Sequence, residues 1–154
     1  KKRSYVNFSL GNESFAIIVS RVLEIQPLEQ LTCVPNASGY VKGILNFRGA
    51  IVPVINLHKR FNFQPGNVES NMVIVVEVLN QENSVLMGLL VDEVTDVIEF
   101  EMKDIQAVPE IGIKYNPEYL EGFVEQNGRF IMILNPDKVL SVSELAEVNS
   151  VTPA

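Results

Sequence analysis

No tryptophan occurs among the 154 residues, and cysteine and histidine appear once each, as Cys33 and His58. A lone cysteine forms no intrachain disulfide, which fits a reducing compartment. One Cys and one His also leave a zinc site without its usual ligands. The two could work as nucleophile and base only if the fold happened to bring them together. Basic residues are scarce: 12 Lys+Arg stand against 19 Asp+Glu, a formal net charge of −7. That average field repels phosphate backbones, so nucleic acid is not an expected partner. The basic opening Lys1-Lys2-Arg3 is too short to reverse this. No apolar run reaches the length of a membrane-spanning helix, so direct membrane insertion is not expected either. Neither a GxGxxG nor a Walker-type glycine loop is present, and no cofactor or metal is expected. The chain opens without a signal peptide but also without an initiator Met, so its first residues need not be native; the cytoplasm is the expected compartment.

What is present is a strand-rich pattern. Apolar types make up 47% and charged types 20%, an ordinary globular balance with enough apolar side chains for a full core. In residues 4–10 (SYVNFSL), Tyr5, Asn7 and Ser9 fall on one face and Val6, Phe8 and Leu10 on the other, the period of a half-buried strand. Gly11-Asn12 reads as a turn and Phe15–Val19 as the returning strand. Ile51–Leu57, Val73–Leu79, Val85–Val91 and Phe130–Leu134 are similar short runs of Val, Ile and Phe bounded by Gly, Asn or Pro. Strands of this length and spacing predict an all-β barrel or sandwich. Helix signals are few. Asn116-Pro117-Glu118 predicts a short turn through Leu120, and Asn135-Pro136-Asp137 a C-terminal helix over 136–146. Residues 58–71 read as a linker loop around Pro65-Gly66, and 147–154 as a flexible tail.

The chain also resembles itself. YVKGILNFRGAIVPVIN (40–56) aligns with YLEGFVEQNGRFIMILN (119–135) at a constant offset of 79, matching Tyr40 to Tyr119, Gly43 to Gly122, Gly49 to Gly128 and Asn56 to Asn135. FAIIVSRVLEI (15–25) aligns with MGLLVDEVTDV (87–97) at an offset of 72, and Val34-Pro35 with Val108-Pro109 at 74. Three matches in one order predict two copies of a small β-unit, about 4–57 and 72–135, within one domain over 4–146. Units of this size are marginal alone, so the copies must share a core by packing together or by exchanging strands, and a groove between them is a natural binding place.

Where the copies differ, function is the question. Copy two turns through Gln126-Asn127-Gly128, with the ordinary Asn-Gly hairpin pair. Copy one has Asn46-Phe47-Arg48-Gly49 there, poor turn chemistry for a solvated loop. Two readings stand: Arg48 is an interface anchor, or Phe47 packs into the barrel and Arg48 snorkels to water. In Val22-Leu23-Glu24-Ile25, simple alternation puts Val22 and Glu24 on one side and Leu23 and Ile25 on the other. This is either an exposed patch for a partner or an edge strand with a protective charge. His58, between Leu57 and Lys59-Arg60, reads as a basic surface corner. Asp92, Glu93 and Asp96 read as a solvated acidic face, with no loop spacing suited to calcium.

The run YVKGILNFRGAIVPVINL, preceded by FAIIVSRVLEI and a Val-Pro, resembles the signature region of the CheW family. MGLLVDEVTDVIEF, Val108-Pro109 and YLEGFVEQNGRFIMILN resemble its distal half, so the likeness covers about 4–141. The NxRG turn followed by a PVIxL strand is specific. The same fold occurs in the regulatory domain of the kinase CheA and in part of CheV, but this chain has no receiver, phosphotransfer or ATP-binding region. The resemblance implies two SH3-like five-stranded β-barrels and a non-enzymatic adaptor joining the histidine kinase CheA, through its regulatory domain, to the cytoplasmic tips of methyl-accepting chemoreceptors. It places receptor contacts at Val22, Glu24, Ile25, Asn46, Arg48 and Gly49, with Gly88 and Val94 as neighbours; for these last two, barrel packing is the competing explanation. The apolar loop 106–112 suggests kinase contacts at Gln106 and Ile111, or else a buried inter-barrel connection. Asn56 stands where the family commonly has an acid and Phe47 where it has an aliphatic, which leaves open the receptor class or array served. A CheW-like scaffold of a non-taxis pathway, an unrelated SH3-like peptide binder, and an enzyme using Cys33 are the other function classes.

Overall fold

A computed structural model of the chain describes residues 2–29, 31–33, 39–61, 71–80, 83–108, 117–141 and 144. The first half supplies β1 (Lys2–Leu10), β2 (Glu13–Ile18), β3 (Val22–Pro27), β4 (Val41–Phe47) and β5 (Ala50–Asn56), then a single helical turn α1 (Leu57–Phe61). The second half repeats the series with β6 (Met72–Asn80), β7 (Asn83–Val91), β8 (Glu93–Glu101), β9 (Leu120–Gln126) and β10 (Arg129–Leu134).

These strands form two five-stranded sheets, ordered β8-β1-β2-β10-β9 and β3-β6-β7-β5-β4. Each sheet closes on itself, because the segment after one edge strand bonds to the other edge: Thr32 pairs with Ile44, and Gln106 with Phe123. Neither sequence copy is a barrel alone. The first barrel takes β1 and β2 from copy one and β8–β10 from copy two, and the second takes the complementary set. Strands are exchanged, and exchange turns the two marginal units into one fold.

The likeness extends to register. Parallel pairing sets Ile133 beside Ala16 in the first barrel and Val54 beside Gly88 in the second, and Gly122 and Gly43 flank those residues across the adjacent hairpin. A Cβ on Gly122 would lie 2.5 Å from the Gln106 carbonyl oxygen, and one on Gly43 2.9 Å from that of Thr32. The repeated glycine is therefore the space through which the barrel-closing segment passes.

Alternation sorts the side chains into three cores. Val6, Phe8, Leu10, Phe15 and Ile17 meet Ile74, Val76, Val78, Met87 and Leu89 in a shared core between the barrels. Tyr5, Ala16, Phe100, Val124, Ile131 and Ile133 fill the first barrel, and Phe47, Val52, Val54, Val73, Val75 and Leu90 the second. The matched tyrosines sit together near the shared core. The Arg60 guanidinium lies 5.1 Å from the Tyr40 ring centroid and 5.3 Å from that of Tyr119, and bonds to the Val139 carbonyl and Glu144.

Two element boundaries depart from the sequence expectations. The predicted linker begins with α1, capped by Asn56, whose Oδ1 accepts the Lys59 amide at 3.4 Å. The predicted helix over 136–146 is not continuous. Pro136–Lys138 is one 3-10 turn, and residues 139–141 are non-helical. Val139 and Leu140 are both buried where the chain leaves that turn. Ser141 and Glu144 then bond reciprocally, backbone to side chain, in a capping-box arrangement that marks a fresh helical start. The remainder of that prediction and the tail lie outside the described residues.

Candidate docking surface

The β4–β5 turn keeps the geometry of its Asn-Gly counterpart although the residues differ. Arg48 has φ 51° and Asn127 φ 54°, followed by Gly49 at 84° and Gly128 at 78°. A left-handed backbone suits Asn and Gly but costs an arginine roughly 1 kcal/mol. Asn46 supports the turn, its Oδ1 accepting the Gly49 amide at 3.0 Å. Both sequence readings of this turn hold in part: Phe47 is buried, and Arg48 is exposed with its guanidinium 4.7 Å from the Phe47 ring centroid. The ring face holds the guanidinium head by a cation–π contact.

The β3 edge differs from simple alternation. Val22 pairs with Val76 and Glu24 with Val75, so Leu23 is an extra residue in a β-bulge. As a result Leu23, Glu24 and Ile25 are all exposed, at 42% for Leu23 and 37% for Ile25, while Val22 packs half-buried against the shared core. The second half has the same bulge: Asn7 pairs with Asp96 and Phe8 with Val94, leaving Thr95 as the extra residue. Val94 is therefore the twin of Val22, half-buried against the same core.

This correspondence shows which candidates share a rim. Thr95, Asp96, Gln126 and Asn127 line one hollow in the first barrel. Their counterparts in the second are Leu23, Glu24, Phe47 and Arg48. By this correspondence the β3 edge and the NxRG turn flank the same barrel mouth, which carries Leu23, Glu24 and Arg48. Gly88 is not on that surface; it is buried under Val73 and Val54, whose methyls would lie 3.0 and 3.2 Å from an added Cβ. Gln106 is exposed on the other barrel, and Ile111 lies outside the described residues.

Three ion pairs were not evident from the sequence. His58 is not a surface corner: it is buried, and its Nε2 donates to Asp92 Oδ1 at 2.8 Å. Asp92 is likewise no solvated acid, being 2% exposed and accepting the Gly11 amide at 2.6 Å through Oδ2. Glu93 and Asp96 are exposed as expected. In the other barrel Arg21 grips Asp137 through two bonds of 2.7 Å, and Asp137 also accepts the Leu79 amide at 2.8 Å. Burial pushes the Asp137 carboxyl up, but the Arg21 fork, the Leu79 amide and the charge of Lys138 together hold it below its ordinary value. Glu121, though largely exposed, moves the other way, partial desolvation outweighing the pull of Arg21 and Arg3. The third pair is Arg60 with Glu144. Cys33 is exposed, whereas His58 is occupied with Asp92 in the interior. Among the described residues no group of three or more His, Cys, Asp or Glu side chains could hold a metal, and no helix is long and apolar enough to cross a membrane.

Two closed barrels that exchange strands and pack on a shared core define the class of fold. The CheW-like domain description matches residues 4–144, and the chain belongs to that family. The Chemotaxis protein CheW of Klebsiella aerogenes is 33% identical over 149 residues, covering 97% of this chain and 88% of that protein. That of Treponema pallidum is 34% identical, covering 93% and 85%. Among solved structures, the scaffolding protein TtCheW of Thermoanaerobacter tengcongensis superposes with a TM-score of 0.84 at 27% identity, covering 99% of this chain and 95% of that one. The function is that of a chemotaxis coupling and scaffolding protein, not an enzyme.

Proposed function

We propose that this chain joins the regulatory domain of the histidine kinase CheA to the cytoplasmic tips of methyl-accepting chemoreceptors, and does so in the cytoplasm at receptor arrays. The receptor tip docks on the second-barrel rim, against Glu24 and Ile25 of β3 and the Asn46-Arg48-Gly49 turn, with Val22 and its twin Val94 supporting the surface from the shared core. The kinase is met on the other barrel around Gln106, with Ile111 as its second contact. Gly88 supports the rim only indirectly, by letting β5, β6 and β7 lie close together.

One observation carries the reading: an exposed arginine occupies a left-handed turn position where its own duplicate uses Asn. A residue that costs stability and makes no ion pair among the described residues is best explained by a contact outside the chain. The test is titration of the labelled protein against a CheA regulatory domain and, separately, a receptor cytoplasmic fragment. Binding to both in the micromolar range, with simultaneous occupancy, is expected for transient interfaces. Failure to bind either, or mutual exclusion of the two, would refute the coupling role.

A further inference from the structure

The two hairpin turns share a backbone but carry a different pair of residues. In the first barrel Gln126-Asn127 precedes Gly128, and in the second Phe47-Arg48 precedes Gly49. Asn127 and Arg48 occupy the same left-handed position, at φ 54° and 51°. The Arg48 Cζ lies 4.7 Å from the Phe47 ring centroid, over the face of the ring. Two neighbouring differences between the duplicates therefore touch each other, and reverting either one alone would lose the contact.

The ring is moored in the core. Phe47 is 6% exposed and packs with Val52, Val54, Val73, Val75 and Leu90 inside the second barrel. Arg48 is exposed and makes no ion pair among the described residues. A fixed aromatic face thus carries a long side chain that would otherwise sample many rotamers. Ordering such a side chain weakens any contact it makes with a partner, and a platform that orders it beforehand removes that cost. The ring brings no carboxylate to neutralise the charge, so Arg48 remains a full cation for whatever docks on it.

We propose that Phe47 is a positioning residue of the docking rim, its ring holding the Arg48 head where the receptor tip meets it. This role rests on receptor docking at the second-barrel rim. It makes the Phe-Arg pair, not Arg48 alone, the determinant of affinity at this barrel mouth.

The test titrates the wild type, Phe47→Leu, Arg48→Asn and the double variant against a receptor cytoplasmic fragment, with the CheA regulatory domain as control. Phe47→Leu keeps an apolar side chain in the core and removes the aromatic face. It should weaken receptor binding about three- to tenfold, the size of an ordering cost for one long side chain, and leave kinase-domain binding in place. Added to Arg48→Asn, it should have no further effect, a coupling that a residue serving only the barrel core would not show. By NMR the wild-type Arg48 side-chain Nε–H should be rigid and displaced by the ring current, and Phe47→Leu should make it mobile. Unchanged receptor affinity in Phe47→Leu beside a weakened Arg48→Asn would overturn the proposal alone, as would equal weakening by Phe47→Leu in both backgrounds. Unchanged affinity in Arg48→Asn would overturn the docking role along with it. A mobile Arg48 side chain in the wild type would overturn the proposal even if Phe47→Leu does not fold.

Discussion

The two barrels are tied at equivalent places by opposite arrangements of charge. In the first, Asp92 holds the Gly11 amide at the end of β1 and takes His58, from α1, as its cationic or donor partner. In the second, Asp137 holds the Leu79 amide at the corresponding point of β6 and takes Arg21 as partner. His58 stands at the position equivalent to Asp137, and Arg21 one place beyond the counterpart of Asp92. Acid and base have changed sides between the duplicates, yet both staples close a turn where the chain crosses from one barrel to the other. Duplication preserved the need for the staple and not the residues that make it.

The largest expected effect tests the space that both barrels keep open. Gly122→Val forces a branched side chain into the Gln106 backbone, while Gly43→Ala meets a slightly looser wall. Overpacking of this kind costs about 1–3 kcal/mol and occasionally more. Denaturant unfolding should place Gly122→Val at or above the top of that range and Gly43→Ala near its lower end. A milder effect at Gly122 would mean that the closing segment moves aside freely.

The staples should differ next. Asp92→Ala removes the carboxylate that the buried His58 imidazole and the half-buried Gly11 amide both bond to, so a loss of about 3 kcal/mol is expected. Asp137→Ala releases a more exposed arginine that water can reach, and about 1–2 kcal/mol is expected there. Equal losses would erase the distinction between them.

Acid sharpens the second staple further. The folded Asp137 carboxyl lies below its ordinary value, so its contribution is fully present above the unfolded carboxylate value and is lost as pH falls through the folded one. The stability gap between wild type and Asp137→Asn should therefore shrink as pH drops from about 5 toward about 2. Glu121, held above its ordinary value by partial desolvation, contributes with the opposite sign, favouring the fold on the acid side.

Much of the fold was legible because local rules and packing agree. Val6, Phe8 and Leu10 alternate with Tyr5, Asn7 and Ser9, and the two sets do face different surroundings. The duplication was legible because Gly43 and Gly122 face the same steric demand. Strand exchange was not, since similarity says which segments are alike but not which of them pair. The Leu23 bulge was hidden because nothing in VLEI itself distinguishes a bulged strand from a regular one. Asp92 and His58 were misread because charged types are usually solvated, and only a partner 34 positions away makes burial acceptable. Arg48 could be singled out by its departure from Asn127, and the shared backbone angle explains why that departure is costly.

The smallest predicted change in stability bears most directly on that residue. Arg48→Asn restores the turn chemistry of the other barrel, so the variant should gain up to about 1 kcal/mol, a rise of a few degrees in Tm. Paired with a receptor-fragment titration, the account predicts a more stable protein whose receptor binding is weakened at least tenfold while binding to the kinase domain is retained. An unchanged receptor affinity, whatever the shift in Tm, would contradict it.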